Sequence, residues 1–162
     1  MQTIRLQTFI KAKAELVFDL SRDIDLHRQS AAGTNETAVA GKTAGLLALG
    51  ETVTWRAKHF GLFHRLTVQI TEMERPLRFT DVMLKGPFKS MQHQHLFSDV
   101  DNGTWMYDVF SFEAPFGYLG RFVELLFLRS YMTAFLKKRN EILKAVAESM
   151  ALSSDDLDST NN

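Results

Sequence analysis

Between Glu51 and Glu113 the chain alternates apolar and polar residues through five short runs, each closed by a turn signal. No other feature of the sequence narrows the fold as much. ETVTWRAKHF and LFHRLTVQITEME flank Gly61, Pro76 precedes LRFTDVML, Gly86-Pro87 precedes FKSMQHQHLFSDV, and Asp101-Asn102-Gly103 precedes TWMYDVFSFEA. Alternation with a period of two marks strands with one buried face, and short glycine-bearing turns join strands that run antiparallel. The region therefore predicts an antiparallel meander. Each strand turns large apolar groups to one side, so that side of the sheet must be covered.

The segment from about Leu119 to Met150 supplies the cover. It holds no proline, and no glycine beyond Gly120, while Phe122, Leu126, Tyr131, Met132, Phe135, Leu136, Ile142, Leu143 and Val146 recur at helical spacing. A helix of about 30 residues spans roughly 45 Å, enough to cross a curved sheet. Upstream, Ile4, Leu6, Thr8 and Ile10 share one face of a strand. Leu16, Val17, Leu20, Ile24 and Leu26 then predict two short helices between Ala14 and about Ser30, broken around Ser21 to Asp25. TNETAVAGKTAGLLALG, with Gly41, Gly45 and Gly50, reads as loop or strand edge. The expectation is one α+β domain over residues 1–150. Residues 151–162 lack core-forming side chains and are expected as a disordered tail.

Two stretches, TFIKAKAELVFDLSRDI and ERPLRFTDVMLKGPFKSMQHQHLFSDVDNGTWMYDVFSFEAPFG, carry a family resemblance together with this order of elements. The chain resembles the SRPBCC superfamily, the helix-grip fold of START lipid-transfer domains, birch-pollen-allergen-like proteins and polyketide cyclases, over about residues 1–150. The second stretch is similar to bacterial members of the cyclase/dehydrase type. The resemblance implies a curved antiparallel sheet wrapped around a long C-terminal helix, with two short helices after the first strand. It does not imply a metal, and because the superfamily includes carriers, receptors, cyclases and hydrolases it does not specify the chemistry.

Charge and composition exclude other classes. Nineteen Lys plus Arg balance nineteen Asp plus Glu, so no global field favours nucleic acid or an anionic surface. The sequence has no cysteine, which removes disulfides and thiolate chemistry. Arg5 and Lys11 interrupt any apolar signal region near the N-terminus, and no run approaches the roughly 18 apolar residues of a membrane span. A soluble, cytoplasmic protein without an integral membrane segment is expected, its oligomeric state left open.

The candidate site follows from strand parity. In QHQHLF, His93 and His95 share a face with Met91 and Phe97. If that face is buried, the next strand brings Met106, Asp108 and Phe110 inward, the preceding strand Phe79, Asp81 and Met83, and an earlier one Trp55 and His59. Met132 and Phe135 would close the space from the helix. Titratable groups in such a shell need partners, because an isolated buried ion is strongly disfavoured. Four readings are open. The histidines and carboxylates could ligate a metal, although HxH recurs by chance and no third ligand has diagnostic spacing, so no metal and no cofactor are expected. His93 or His95 could act as a general base steered by Asp81 or Asp108, in a cyclase- or dehydrase-like enzyme. The cluster could be a satisfied network in a filled core. The composition favours the remaining reading, a mostly apolar pocket whose few polar groups orient a small hydrophobic or amphipathic ligand.

Smaller features complete the reading. Trp105 has the opposite parity from Trp55's face and is expected outward. LKKRNE, residues 136–141, reads as a solvated helix face. Arg129 is a candidate partner for Asp108 or for a ligand carboxylate, and FGYLG, residues 116–120, for a cavity mouth or a hydrophobic staple.

Overall fold

The computed structural model describes residues 1–115 and 127–160. The expected loop FGYLG, and the helical expectation over residues 119–126 with Phe122 and Leu126, lie outside them.

The chain opens with β1 (Gln2–Ile10), α1 (Ala14–Ser21) and α2 (Ile24–Ser30). After a single 3-10 turn come β2 (Thr37–Gly41), β3 (Thr52–His59), β4 (Leu62–Glu74), β5 (Arg78–Lys85), β6 (Ser90–Val100) and β7 (Gly103–Glu113), and then a helix, α3 (Arg129–Thr160). The strands form one antiparallel sheet in the order β1-β7-β6-β5-β4-β3-β2. The five-strand meander and the helix break near residue 22 stand where the alternation and the apolar spacing put them. Asp23 explains the break: its carboxylate accepts from the backbone N–H of Asp25 at 2.7 Å and of Leu26 at 3.0 Å, which starts α2 afresh.

Irregularities in pairing bend the sheet. Register shifts lie between Thr67 and Val68 and between Ile70 and Glu72 where β4 meets β5, and between Ala38 and Ala40 on β2. Such bulges increase local twist and turn a flat ladder into a concave one. On the concave side, β7 buries every second residue from Thr104 to Ala114, and β6 does the same from Met91 to Phe97. Phe18 on α1, fully buried, sits edge-on to Phe79 and Phe97 at 5.4 Å from each ring. Burial of such a ring is worth about 1.5–3 kcal/mol, so α1 closes one end of the concavity with a dry plug.

The long helix closes the rest through Leu136, Asn140, Leu143 and Ala147, all buried. It runs on to Thr160, where the sequence reading expected a disordered tail over 151–162. No glycine or proline interrupts it there, and the hydroxyls of Ser153 and Ser154 fold back onto the carbonyls of Ser149 and Met150, at 3.0 and 2.9 Å, instead of competing for the backbone. Among the described residues, no helix is long and apolar enough to cross a membrane.

Candidate functional site

Between the concave sheet face and α3 lies a cavity of about 260 Å³. Its wall is mostly apolar, with Trp55, Val68, Ile70, Phe79, Met91 and Phe110 from the sheet and Met132, Phe135 and Leu136 from α3. Phe60, exposed, and Pro87 belong to the same wall, so the space reaches the surface at that end. At the opposite, buried end the polar groups converge.

Cross-strand register builds that polar end. His93 pairs with Asp81 on one side and Phe110 on the other, and His95 pairs with Phe79 and Asp108, so the four titratable groups stand on adjoining positions of one face. Asp108, 2% exposed, is the hub. Its Oδ1 accepts from His93 Nε2 at 3.0 Å and lies 3.0 Å from His95 Nδ1, the latter off the hydrogen-bond direction. Its Oδ2 accepts from the Asn140 amide at 2.6 Å, and Asn140 also reaches Thr8 at 3.3 Å. His95 Nε2 faces Asp81 Oδ2 at 3.4 Å. A carboxylate only accepts, so His93 carries its proton on Nε2 and leaves Nδ1 with a free lone pair.

Burial and charge compete at each of these groups. Burial alone would raise the Asp108 and Asp81 carboxyls, but the contacts of Asp108 with both imidazoles, and of Asp81 with His95 first, outweigh it and hold both low, Asp108 well below the usual range. Burial pushes His93 down, helped by the neighbouring His95, so it is the neutral member of the pair. Burial also opposes charge on His95, yet its contacts with Asp108 and Asp81 raise it. The result is one proton-holding imidazole and one neutral imidazole side by side, with ring centres 3.9 Å apart.

A second polar group completes the buried end. Arg139 on α3 donates from Nη2 to His27 Nδ1 at 2.9 Å. A guanidinium cannot accept, so His27 is the Nε2–H tautomer, and Glu36 Oε1 stands 3.3 Å from that nitrogen, off the hydrogen-bond direction. The imidazole lies flat on Trp55 at 4.0 Å between ring centres. Burial lowers the His27 pKa, and the Arg139 charge lowers it further. Nearer the mouth, His59 Nδ1 and the Tyr131 hydroxyl share a hydrogen bond of 2.6 Å.

The family model described as polyketide cyclase/dehydrase and lipid transport matches residues 1–148. The chain belongs to this family. No functionally curated protein matches its sequence. Among solved structures it is similar to TTHA0849 from Thermus thermophilus, at 18% identity and a TM-score of 0.70, covering 90% of this chain and 99% of that one. Ginseng major latex-like protein 151 from Panax ginseng gives 14% identity and 0.66, over 90% and 97%. A START superfamily protein from Mycobacterium smegmatis gives 11% and 0.68, over 91% and 98%. At these identities the likeness establishes the helix-grip fold of the superfamily that the sequence resembles.

In this cyclase/dehydrase-type chain the ten residues Trp55, His59, Phe79, Asp81, Met91, His93, His95, Phe110, Met132 and Phe135 stand on the cavity wall. Four other candidates do not. Phe97 is buried under Phe18 of α1, and Met106 lies beneath the same helix, its sulfur 3.7 Å from the Ser21 hydroxyl. Met83 packs at the sheet's rim beside Gly86. Asp108 sits behind the two histidines, on a separate void of about 20 Å³ that it shares with Asn140 and Met106. Parity tells which face a side chain takes, not which part of that face α1 covers. Arg129 does not partner Asp108, whose contacts go to His93, His95 and Asn140. Trp105 points away from the cavity, against Phe9 at 5.1 Å.

Sequence reasoning missed His27, Glu36, Tyr131, Arg139 and Asn140 as members of the site. For the last two a signal existed inside the run read as a solvated face. Asn140 follows Leu136 by four residues and precedes Leu143 by three, which puts it on the helix's apolar stripe. Register also supplies what local spacing could not, since Asp81, His93 and His95 each bring one donor atom to within 4.8 Å of the others.

Proposed function

We propose that this protein binds a small hydrophobic or amphipathic molecule in the cavity between sheet and α3. Its apolar body would lie against Trp55, Phe79, Met132 and Phe135, and its polar end against His93, His95, Asp81 and Arg139. The observation that carries the reading is the division of one cavity of about 260 Å³ into an apolar wall and a buried polar end. Ligand clefts typically run from about 300 Å³ upward, so a molecule of modest size is indicated. A family that includes lipid transport supports the same reading. The test is native mass spectrometry of the protein as purified, compared with the denatured sample. A co-purified organic mass that leaves on denaturation supports it. A crystal structure with side chains filling the space, together with no bound mass and no binding of fatty acids or aromatic polyketides, overturns it.

Acid/base catalysis is the second reading, favoured by one detail. His93 is the neutral imidazole, held through Nε2 by Asp108 with its other nitrogen unprotonated, which is the state a general base requires. On a compound identified as a substrate, His93→Gln and His95→Gln that both retain full turnover would exclude this mechanism.

A further inference from the structure

We propose that Asp81, His93 and His95 form a binding site for a divalent first-row transition-metal ion, with Asp108 as the carboxylate behind both imidazoles, hydrogen-bonded to His93. This goes beyond the ligand-binding reading and holds whether or not an organic molecule occupies the cavity.

Three observations converge. The first is donor geometry. Asp81, His93 and His95 each offer one ligand atom within 4.8 Å of the other two. His95 Nε2 and Asp81 Oδ2 are 3.4 Å apart, about the edge of a tetrahedron whose ligands lie ~2.1 Å from the metal.

The second is orientation. Metal-bound histidines characteristically donate their other ring N–H to a carboxylate, which fixes the tautomer and aims the free lone pair at the ion. Asp108 Oδ1 accepts from His93 Nε2 at 3.0 Å, leaving His93 Nδ1 as a free donor, and stands 3.0 Å from His95 Nδ1 without a hydrogen bond, while His95 Nε2 faces Asp81. Asn140 in turn grips the other oxygen of Asp108 at 2.6 Å. One imidazole is thus held by the buried carboxylate as a ligand would be, and the second stands within 3.0 Å of the same oxygen.

The third is charge. Glu36, Asp81 and Asp108 stand at the buried end against one guanidinium, Arg139, and the proton that His95 holds; of the other charges on the cavity wall, Arg22 is paired with Asp19 at 2.6 Å and Asp23 caps α2. A divalent cation at Asp81, His93 and His95 takes the place of the His95 proton and balances the three carboxylates and Arg139 with both imidazoles neutral, the form in which they ligate. Two nitrogens and one carboxylate suit zinc or iron(II), and because all three residues line the cavity an oxygen of a molecule bound there would be available to complete the ligand set.

The test uses the full chain stripped with a chelator. Cobalt(II) is added and its visible d–d absorption followed, then zinc is titrated in competition with a chromophoric chelator. One equivalent of each is expected, with the absorption of a four- or five-coordinate site. Asp81→Asn and His95→Gln should each weaken binding at least about 100-fold, the upper end of what losing an outer-shell partner alone costs, whereas His64→Gln, at the cavity mouth beside His59, should leave it unchanged. Asp81 lies at the cavity rather than in the packed core, so its near-isosteric variant keeps the fold, as circular dichroism would verify, should the histidine variant not fold. Wild-type protein that takes up no metal at micromolar concentration overturns the proposal. So does binding that survives Asp81→Asn but is lost in His64→Gln.

Discussion

Asn140 on α3 donates its side-chain amide to Asp108 Oδ2 on β7 across 2.6 Å, and both residues are buried. The bond ties the long helix to the polar end of the sheet, with one residue serving packing and site at once. Its neighbour Arg139 does the same for the other polar group through His27. Two consecutive helix residues therefore set the depth at which α3 sits over the cavity.

Replacing Asn140 by Leu keeps the branched outline of the side chain, at a larger volume, and removes the donor. Asp108 Oδ2 then loses its partner in a buried site, and leaving a buried acceptor unpaired costs about 1–3 kcal/mol, more when it is charged. Asn140→Leu should lower the urea midpoint accordingly. Asn140→Asp should do worse at neutral pH, by placing two carboxylates in contact, and should recover part of the loss on acidification as one of them takes a proton. Equal stability of wild type and Asn140→Leu would mean that the bond contributes nothing net.

The sheet, the helix break and the inward pair His93 and His95 were readable because each rests on a periodicity, and a period-two pattern with one buried face tolerates only one register. The His27–Glu36–Arg139 group was not. Its members come from α2, from the turn before β2 and from α3, and no local pattern links three side chains that meet only after the sheet has curled. The four misplaced cavity candidates share a different cause. Phe97 and Met106 face inward as parity requires, but α1 is what they meet, and the path of α1 across the sheet is a tertiary fact. Arg139 and Asn140 were legible in principle, since helical spacing places Asn140 on the stripe of Leu136 and Leu143; the polar composition of LKKRNE masked it.

Gly103 should resist substitution. Its φ of 150° lies where side chains are rare, and a Cβ there would run into the Ile10 carbonyl of β1. Gly103 also starts β7, opposite Val100, and so fixes the register that sets His95 against Asp108. Gly103→Ala should cost about 1–3 kcal/mol in chemical denaturation, the range for enforced backbone strain. A near-neutral result would show that the β6–β7 turn relaxes freely.

Trp55 reports on the cavity and Trp105 does not. Trp55 is 5% exposed on the cavity wall and stacked on His27, whereas Trp105 packs on Phe9 on the other side of the sheet. Octanoic acid, which does not absorb in this range, should therefore shift the tryptophan emission of wild type and of Trp105→Phe, and leave that of Trp55→Phe unchanged. The opposite assignment, with the shift surviving in Trp55→Phe, would place the binding of such molecules outside this cavity.

His27 should make folding sensitive to mild acid. Its Nδ1 accepts from Arg139, Trp55 covers its face, and Glu36, with a smaller contribution from Asp81, opposes the guanidinium without outweighing it, so protonation would set a new N–H against a cation in a buried site. Burial and that charge depress the folded-state pKa below the ordinary value of about 6.5. The unfolded chain then binds the extra proton first, so this residue's contribution is present above pH ~6.5 and is lost as the pH falls towards the depressed folded value. His27→Gln keeps a neutral acceptor without the titration. Between about pH 7 and pH 5, an interval that spans the ordinary histidine value, the wild type should lose more stability than His27→Gln, measured by urea midpoints at each pH, and the two should differ least in their pH slopes above that interval. Parallel slopes throughout it would mean that His27 titrates in the folded protein as it does in the unfolded chain, and that the Arg139 contact does not hold it neutral.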